Sequence, residues 1–210
     1  MLKIQSDSRQ VPSIEKYTAD KKYHDLLYGV LQEMSYGEKL PNEDITNRYV
    51  NKKDFSFETL GAKIGLARVT TSKYFKNLIS LGLIEEDKEN KRYKLTYLDK
   101  SIATLIPFET LRKINNSLNH NSISIYVYLL KRYVAAGEQE FIYTRRQLKS
   151  FCGLAPDTNA NDNVISDILE VLELLGLIER RYVQAEDNKT LTYITKVRNQ
   201  IKELGVKPGI

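Results

Sequence analysis

The stretch from Ser56 to Thr96 constrains this chain more than any other. Ser56 stands just before a short apolar-periodic run, Phe57 to Ile64. A serine in that place accepts a hydrogen bond from an orphan helix amide, so a helix is expected to open there. Gly65-Leu66 supplies a turn, because glycine reaches the backbone conformations that end one helix sharply before the next begins. A second helix is expected from about Arg68 to Leu81, stopped by Gly82. Phe75, Leu78 and Ile79 or Leu81 recur at three- and four-residue steps and make one stripe to bury. A hairpin is expected next. Leu83-Ile84-Glu85 leads out, Asp87 to Lys91 forms a polar tip, and Tyr93-Lys94-Leu95 returns.

Two helices joined by a tight turn and followed by a polar hairpin make a winged helix-turn-helix. The outer face of its second helix carries Arg68, Thr70, Ser72, Lys73, Lys76 and Asn77, with Thr71 as a further candidate contact. No acid occurs from Gly61 to Ile84. A basic, hydroxyl-rich face on that helix suits the major groove of DNA. Arg68, Thr70 and Lys73 are expected near base edges, and Ser72, Lys76 and Asn77 near phosphates. The hairpin, through Lys88, Asn90, Lys91 and Arg92, is expected on the backbone or in the minor groove. The rival reading of the same residues is a solvated helix face.

The chain then repeats this pattern. Phe141-Ile142-Tyr143 corresponds to a short strand expected to begin at Phe55, and Thr144 to Gln147 reads as a capping box. Gly153-Leu154 matches Gly65-Leu66, and Leu175 to Glu179 repeats Leu81 to Glu85. A second hairpin spans Arg180 to Tyr193. The expected fold class is therefore mainly α with small β-hairpins (α+β), in two tandem winged helix-turn-helix domains. Residues 1–16 read as a loose arm, 17–100 as the first domain, 101–107 as a linker and 108–210 as the second domain, ending in a short helix at 196–204. Within the first domain, Tyr17 to about Gly37 is expected to be helical, with Leu26, Leu27, Val30, Leu31 and Met34 as its apolar face. Residues 38–54 read as a polar loop.

The copies differ in charge. With Ser72 and Ser166 aligned, Arg68 becomes Asp162, Lys73 becomes Asp167 and Lys76 becomes Glu170. The turn of the second copy also holds six extra residues, Ala155 to Ala160. Acids on that helix are repelled by phosphate. DNA contacts from the second copy would therefore fall to Arg145, Arg146 and Lys149 on its first helix and to Arg180, Arg181 and Lys189 on its hairpin. Alternatively, the copy serves as a dimer or partner surface.

Catalytic chemistry is not expected. There is no glycine-rich phosphate loop, and His24 and His120 are isolated from each other and from clustered acids, so neither a catalytic site nor a metal site is expected. No cofactor is implied. The single cysteine, Cys152, cannot form an internal disulfide and points to a reducing compartment. No apolar run reaches the length of a membrane span, and no signal-peptide core is present, so a cytoplasmic protein is expected. The net charge of +5 permits a polyanionic partner.

The layout resembles the winged domain that opens plasmid replication initiators of the RepA N-terminal type. The resemblance rests on Leu26-Leu27-Tyr28, the polar loop after it, and a helix-turn-helix ending Leu81-Gly82-Leu83-Ile84-Glu85. Over roughly 17–204 the duplicated arrangement is similar to tandem winged-helix initiators of plasmids and phages, and Ile106-Pro107-Phe108 resembles the opening of replisome-organiser domains. The resemblance implies sequence-specific binding of double-stranded DNA in replication or maintenance of a mobile element. It also implies a second domain that either dimerises or grips a neighbouring groove, and contact with replication proteins. The acidic second helix departs from that pattern. A transcription regulator and a protein-interaction module without DNA binding are the alternatives.

Overall fold

The computed structural model describes residues 8–12, 23–38, 47–96, 98, 103–117, 121–184 and 190–198. Among them helices and small antiparallel sheets alternate, a mixed α+β architecture. The chain separates into two compact units, one built around residues 21–103 with 9–12, the other around 104–210.

The first unit opens with strand β1 (Ser8–Pro12), where a loose arm was expected. Val11 is fully buried there, and the Tyr23 hydroxyl donates to the Pro12 carbonyl at 3.3 Å. A single buried valine leaves no periodicity to read. Helix α1 (Asp25–Met34) is shorter than the expected helix and is buried along Asp25 to Leu31, more completely than one apolar face.

Strand β2 (Tyr36–Glu38) and strand β3 (Asn47–Asn51) follow. The polar loop expected over 38–54 is thus corrected at Glu38 and Asn47–Asn51, which are strand; residues 39–46 lie outside the described residues. β3 is an inner strand of a four-stranded sheet ordered β2-β3-β5-β4, with Tyr49 and Val50 buried. A single 3-10 turn, Lys52–Asp54, takes the chain out of the sheet. Phe55 therefore does not begin a strand. Its ring packs 5.5 Å from Phe75 and 6.0 Å from Tyr93.

Helix α2 (Phe57–Ile64) and helix α3 (Arg68–Ser80) come next. Ser56 caps α2 in a capping box with Thr59, and Gly65 ends it in the left-handed region at φ 73°. Strands β4 (Ile84–Asp87) and β5 (Arg92–Leu95) form the hairpin. Phe75 and Leu78 on α3 lie in the core with Leu60 and Ile64 of α2.

The second unit begins with strand β6 (Ala103–Pro107), helix α4 (Phe108–Ser117) and helix α5 (Asn121–Ala135). Strand β7 (Phe141–Ile142), helix α6 (Arg145–Cys152) and helix α7 (Asp162–Leu174) precede the hairpin of β8 (Ile178–Gln184) and β9 (Thr190–Val197). Its sheet is ordered β7-β9-β8. Lys196 and Val197 belong to β9 and Arg198 follows it outside any helix, so the expected last helix does not begin there; residues 199–204 lie outside the described residues. Cys152 is buried, 3.7 Å from the Asn121 carbonyl.

The two units share local chemistry position by position. Thr144 and Gln147 rebuild the capping box of Ser56 and Thr59, and Gly153 repeats the left-handed ending of Gly65 at φ 76°. The Leu83 amide donates to the Leu78 carbonyl, and the Leu177 amide to that of Leu172. The Tyr28 hydroxyl donates to the Thr96 carbonyl at 2.6 Å, and the Tyr126 hydroxyl to the Arg198 carbonyl at 2.6 Å. Each bond ties an early helix of a unit to the residue just after its last strand.

Candidate nucleic-acid interface

α3 is held in place by a close approach to α2. A Cβ built on Gly61 would meet the Leu66 carbonyl oxygen at 2.3 Å and Thr71 Oγ1 at 2.8 Å. Only glycine fits there. Thr71 belongs to this contact. It is fully buried, and its hydroxyl donates to the Ala67 carbonyl at 3.0 Å. Its expected role as a contact residue is therefore corrected: the hydroxyl serves the helix junction.

The remaining α3 positions divide by exposure. Arg68, Lys73 and Lys76 are exposed, whereas Thr70, Ser72 and Asn77 are half-buried. Among the described residues, Arg68, Lys73 and Lys76 form no ion pair. The N-cap Ala67 has no capping side chain. The first amides of α3 are left with the positive end of the helix dipole. Val69, absent from the expected contacts, is 81% exposed between Arg68 and Thr70. The signal available in the sequence was its position four residues before Lys73 and seven before Lys76, on one helix line. Beside the start of α3, a hollow of about 430 Å³ is lined by Lys52, Phe55, Ser56, Phe57, Glu58, Arg68 and Tyr93.

The hairpin residues behave unequally. Lys88, Asn90 and Lys91 are exposed at its tip. The Asn90 amide and side chain both donate to Asp87, which builds the turn. Lys91 adopts a left-handed φ of 52°. Arg92 is corrected as a candidate. Only 14% of its side chain is exposed. It pairs with Glu38 and with Asp87, the latter at 2.8 Å, and stacks 3.7 Å from the Tyr49 ring centre. Arg92, then Asn90, holds the Asp87 carboxyl down at about 2. Lys52 pairs with Glu86 on the same sheet.

In the second unit the expected cations are neutralised by their own unit. Lys149 is 3% exposed and donates to the Thr158 carbonyl and to Asp162, the latter at 2.6 Å, so it reaches no partner outside. Lys149, with Arg145 beside it, holds the Asp162 carboxyl below its ordinary value. Arg145 lies 3.6 Å from Asp162, and Arg146 lies 3.0 Å from Asp157. Arg180 takes both carboxylate oxygens of Glu173 through its backbone amide and guanidinium, and Arg181 pairs with Glu140 at 2.7 Å. Lys189 lies outside the described residues. On α7, Asp167 and Glu170 are exposed with no ion pair among the described residues, and Leu174 is 79% exposed.

Arg68, Lys73 and Lys76 on α3 and Lys88 and Lys91 at the hairpin tip are thus exposed, whereas Arg92 and the described candidate cations of the second unit are engaged in pairs within their own unit. Among the described residues no group of histidines, cysteines and acids could hold a metal ion, and no helix is long and apolar enough to cross a membrane. No family model matches the chain, and neither curated proteins nor solved structures give a match.

Proposed function

We propose that the chain is a tandem winged helix-turn-helix protein that binds double-stranded DNA through its first unit. The observation that carries this reading is the contrast between two equivalent helices. α3 bears three exposed cations that form no ion pair among the described residues, and α7 bears carboxylates in their places. Such cations on one helix give a surface whose most favourable complement is a polyanion of regular spacing. The helix-turn-helix placement supports major-groove entry, with Lys88 and Lys91 of the hairpin on the flanking backbone. The setting that fits the layout is replication or maintenance of a plasmid, phage or other mobile element. Replication proteins are then the natural partners.

Fluorescence anisotropy on random and selected duplexes over a salt series tests the reading. Wild type is expected to bind tightly at low salt and to weaken linearly on a double-logarithmic plot. The variant Arg68→Ala, Lys73→Ala, Lys76→Ala should lose binding and flatten that slope by roughly 0.9 for each phosphate contact removed. Arg68→Ala alone should cost about 1–3 kcal/mol on the selected site, and less on random duplex. An unchanged triple variant sinks the proposal. Repeated direct copies in the selected sites would support an origin, and a palindrome would support a transcription regulator.

One observation favours a second role for the second unit. Asp167, Glu170 and Leu174 share one line of α7, and a leucine 79% exposed beside two carboxylates suits a protein surface. On this reading the second unit is a dimer or partner module. Sedimentation velocity of Leu174→Ser against wild type tests it, and identical behaviour over a hundredfold concentration range counts against self-association through this face.

A further inference from the structure

The exposed valine on α3 has no place in the packing of the first unit. Side chains on an α-helix advance by about 100° per residue. The buried stripe of α3 is Thr71, Phe75 and Leu78. Val69 and Lys73 lie within about 30° of the line directly opposite that stripe, with Lys76 beside them. Val69 therefore points away from the core, in the first turn, with Lys73 one turn further on along the same line. A β-branched residue is also a weak choice for an exposed helix position on propensity grounds. Neither core packing nor helix formation explains it. In the second unit the equivalent position is Asn163, and the outward apolar group of α7, Leu174, sits instead at the far end of that helix.

The geometry points to Val69 as a residue that reads thymine, through its methyl groups against the C5-methyl of one base in the major groove. This inference rests on the DNA-binding reading above. The first turn of the second helix is the part of a helix-turn-helix that meets base edges. The thymine methyl is the apolar mark in that groove, and small apolar side chains are its complement. Arg68 on one side and Lys73 one turn further on would hold the helix against the phosphates and neighbouring bases, while Val69 distinguishes thymine from cytosine at one position.

Replacing thymine by uracil removes that methyl and nothing else. A duplex is first selected by the full-length wild-type chain from a random pool at low salt. Each thymine in it is then changed singly to uracil, and affinities are measured by anisotropy for wild type and Val69→Ala. The expected result is one thymine at which uracil weakens wild type by about fourfold, the equivalent of one buried methyl-sized group, while Val69→Ala binds both duplexes alike at the weaker level. Circular dichroism should find Val69→Ala folded, since alanine favours helix at an exposed site. Two results overturn the inference and leave DNA binding standing: no position sensitive to the methyl, or the same sensitivity retained in Val69→Ala. Binding to no duplex at all overturns the DNA reading and this inference together.

Discussion

Arg92 shows how residue type and residue role part company. Its charge and its place beside the hairpin tip suggest a phosphate contact, yet its guanidinium is spent on Glu38, Asp87 and the Tyr49 ring. The expected outcome of Arg92→Gln is a less stable sheet with Asp87 titrating back toward its ordinary 3.8. Carbon-detected NMR titration of Asp87 checks this. The folded value lies below the unfolded one, so the stabilisation is fully present above about pH 4. It is lost as pH falls through about 2. A second residue-scale prediction concerns Gly61. Gly61→Ala forces a Cβ onto the Leu66 carbonyl, and overpacking of this kind should lower stability by about 1–3 kcal/mol in urea melts. Lys149→Ala should likewise reduce stability by about 1–3 kcal/mol, by stranding the Thr158 carbonyl and leaving Asp162 with only the longer Arg145 pair, while leaving duplex affinity unchanged.

At the scale of elements, what could be read in the sequence was what is encoded locally. The capping boxes at Ser56 and Thr144 and the left-handed glycines at Gly65 and Gly153 act within three or four residues, so the bounds of α2 and the start and end of α6 were legible. Ser56→Ala and Thr144→Ala should each cost about 1 kcal/mol, measurable by thermal melts. β3 was not legible. Only Tyr49 and Val50 in Asn47–Asn51 are apolar, and the strand exists because Tyr49 pairs with Lys94 far along the chain. The candidate site was half legible for the same reason. Cations are visible by type, but whether they are free depends on partners elsewhere. Lys149 meets Asp162 across 13 positions, and Arg181 meets Glu140 across 41. Val69 escaped notice because its apolar side chain is informative only once α3 is known to bury Thr71, Phe75 and Leu78.

On the scale of the whole molecule, the two units share structural devices and differ in surface. The capping boxes, the left-handed glycines and the tyrosine hydroxyl bonds recur while the charge of the second helix reverses, which separates what holds the fold from what it presents. The two tyrosine hydroxyl bonds are the longest-range of those shared devices. They span 68 positions from Tyr28 to Thr96 and 72 from Tyr126 to Arg198. Their consequence lies in how the chain is made. A ribosome delivers residues from the N-terminus onward, and domains fold as units as they emerge. Tyr28 must wait for Thr96 before its bond can close, but Thr96 is delivered before any residue of α5. The Tyr28 bond can therefore close before either residue of the Tyr126 bond has been delivered, so the two bonds form in sequence along the chain.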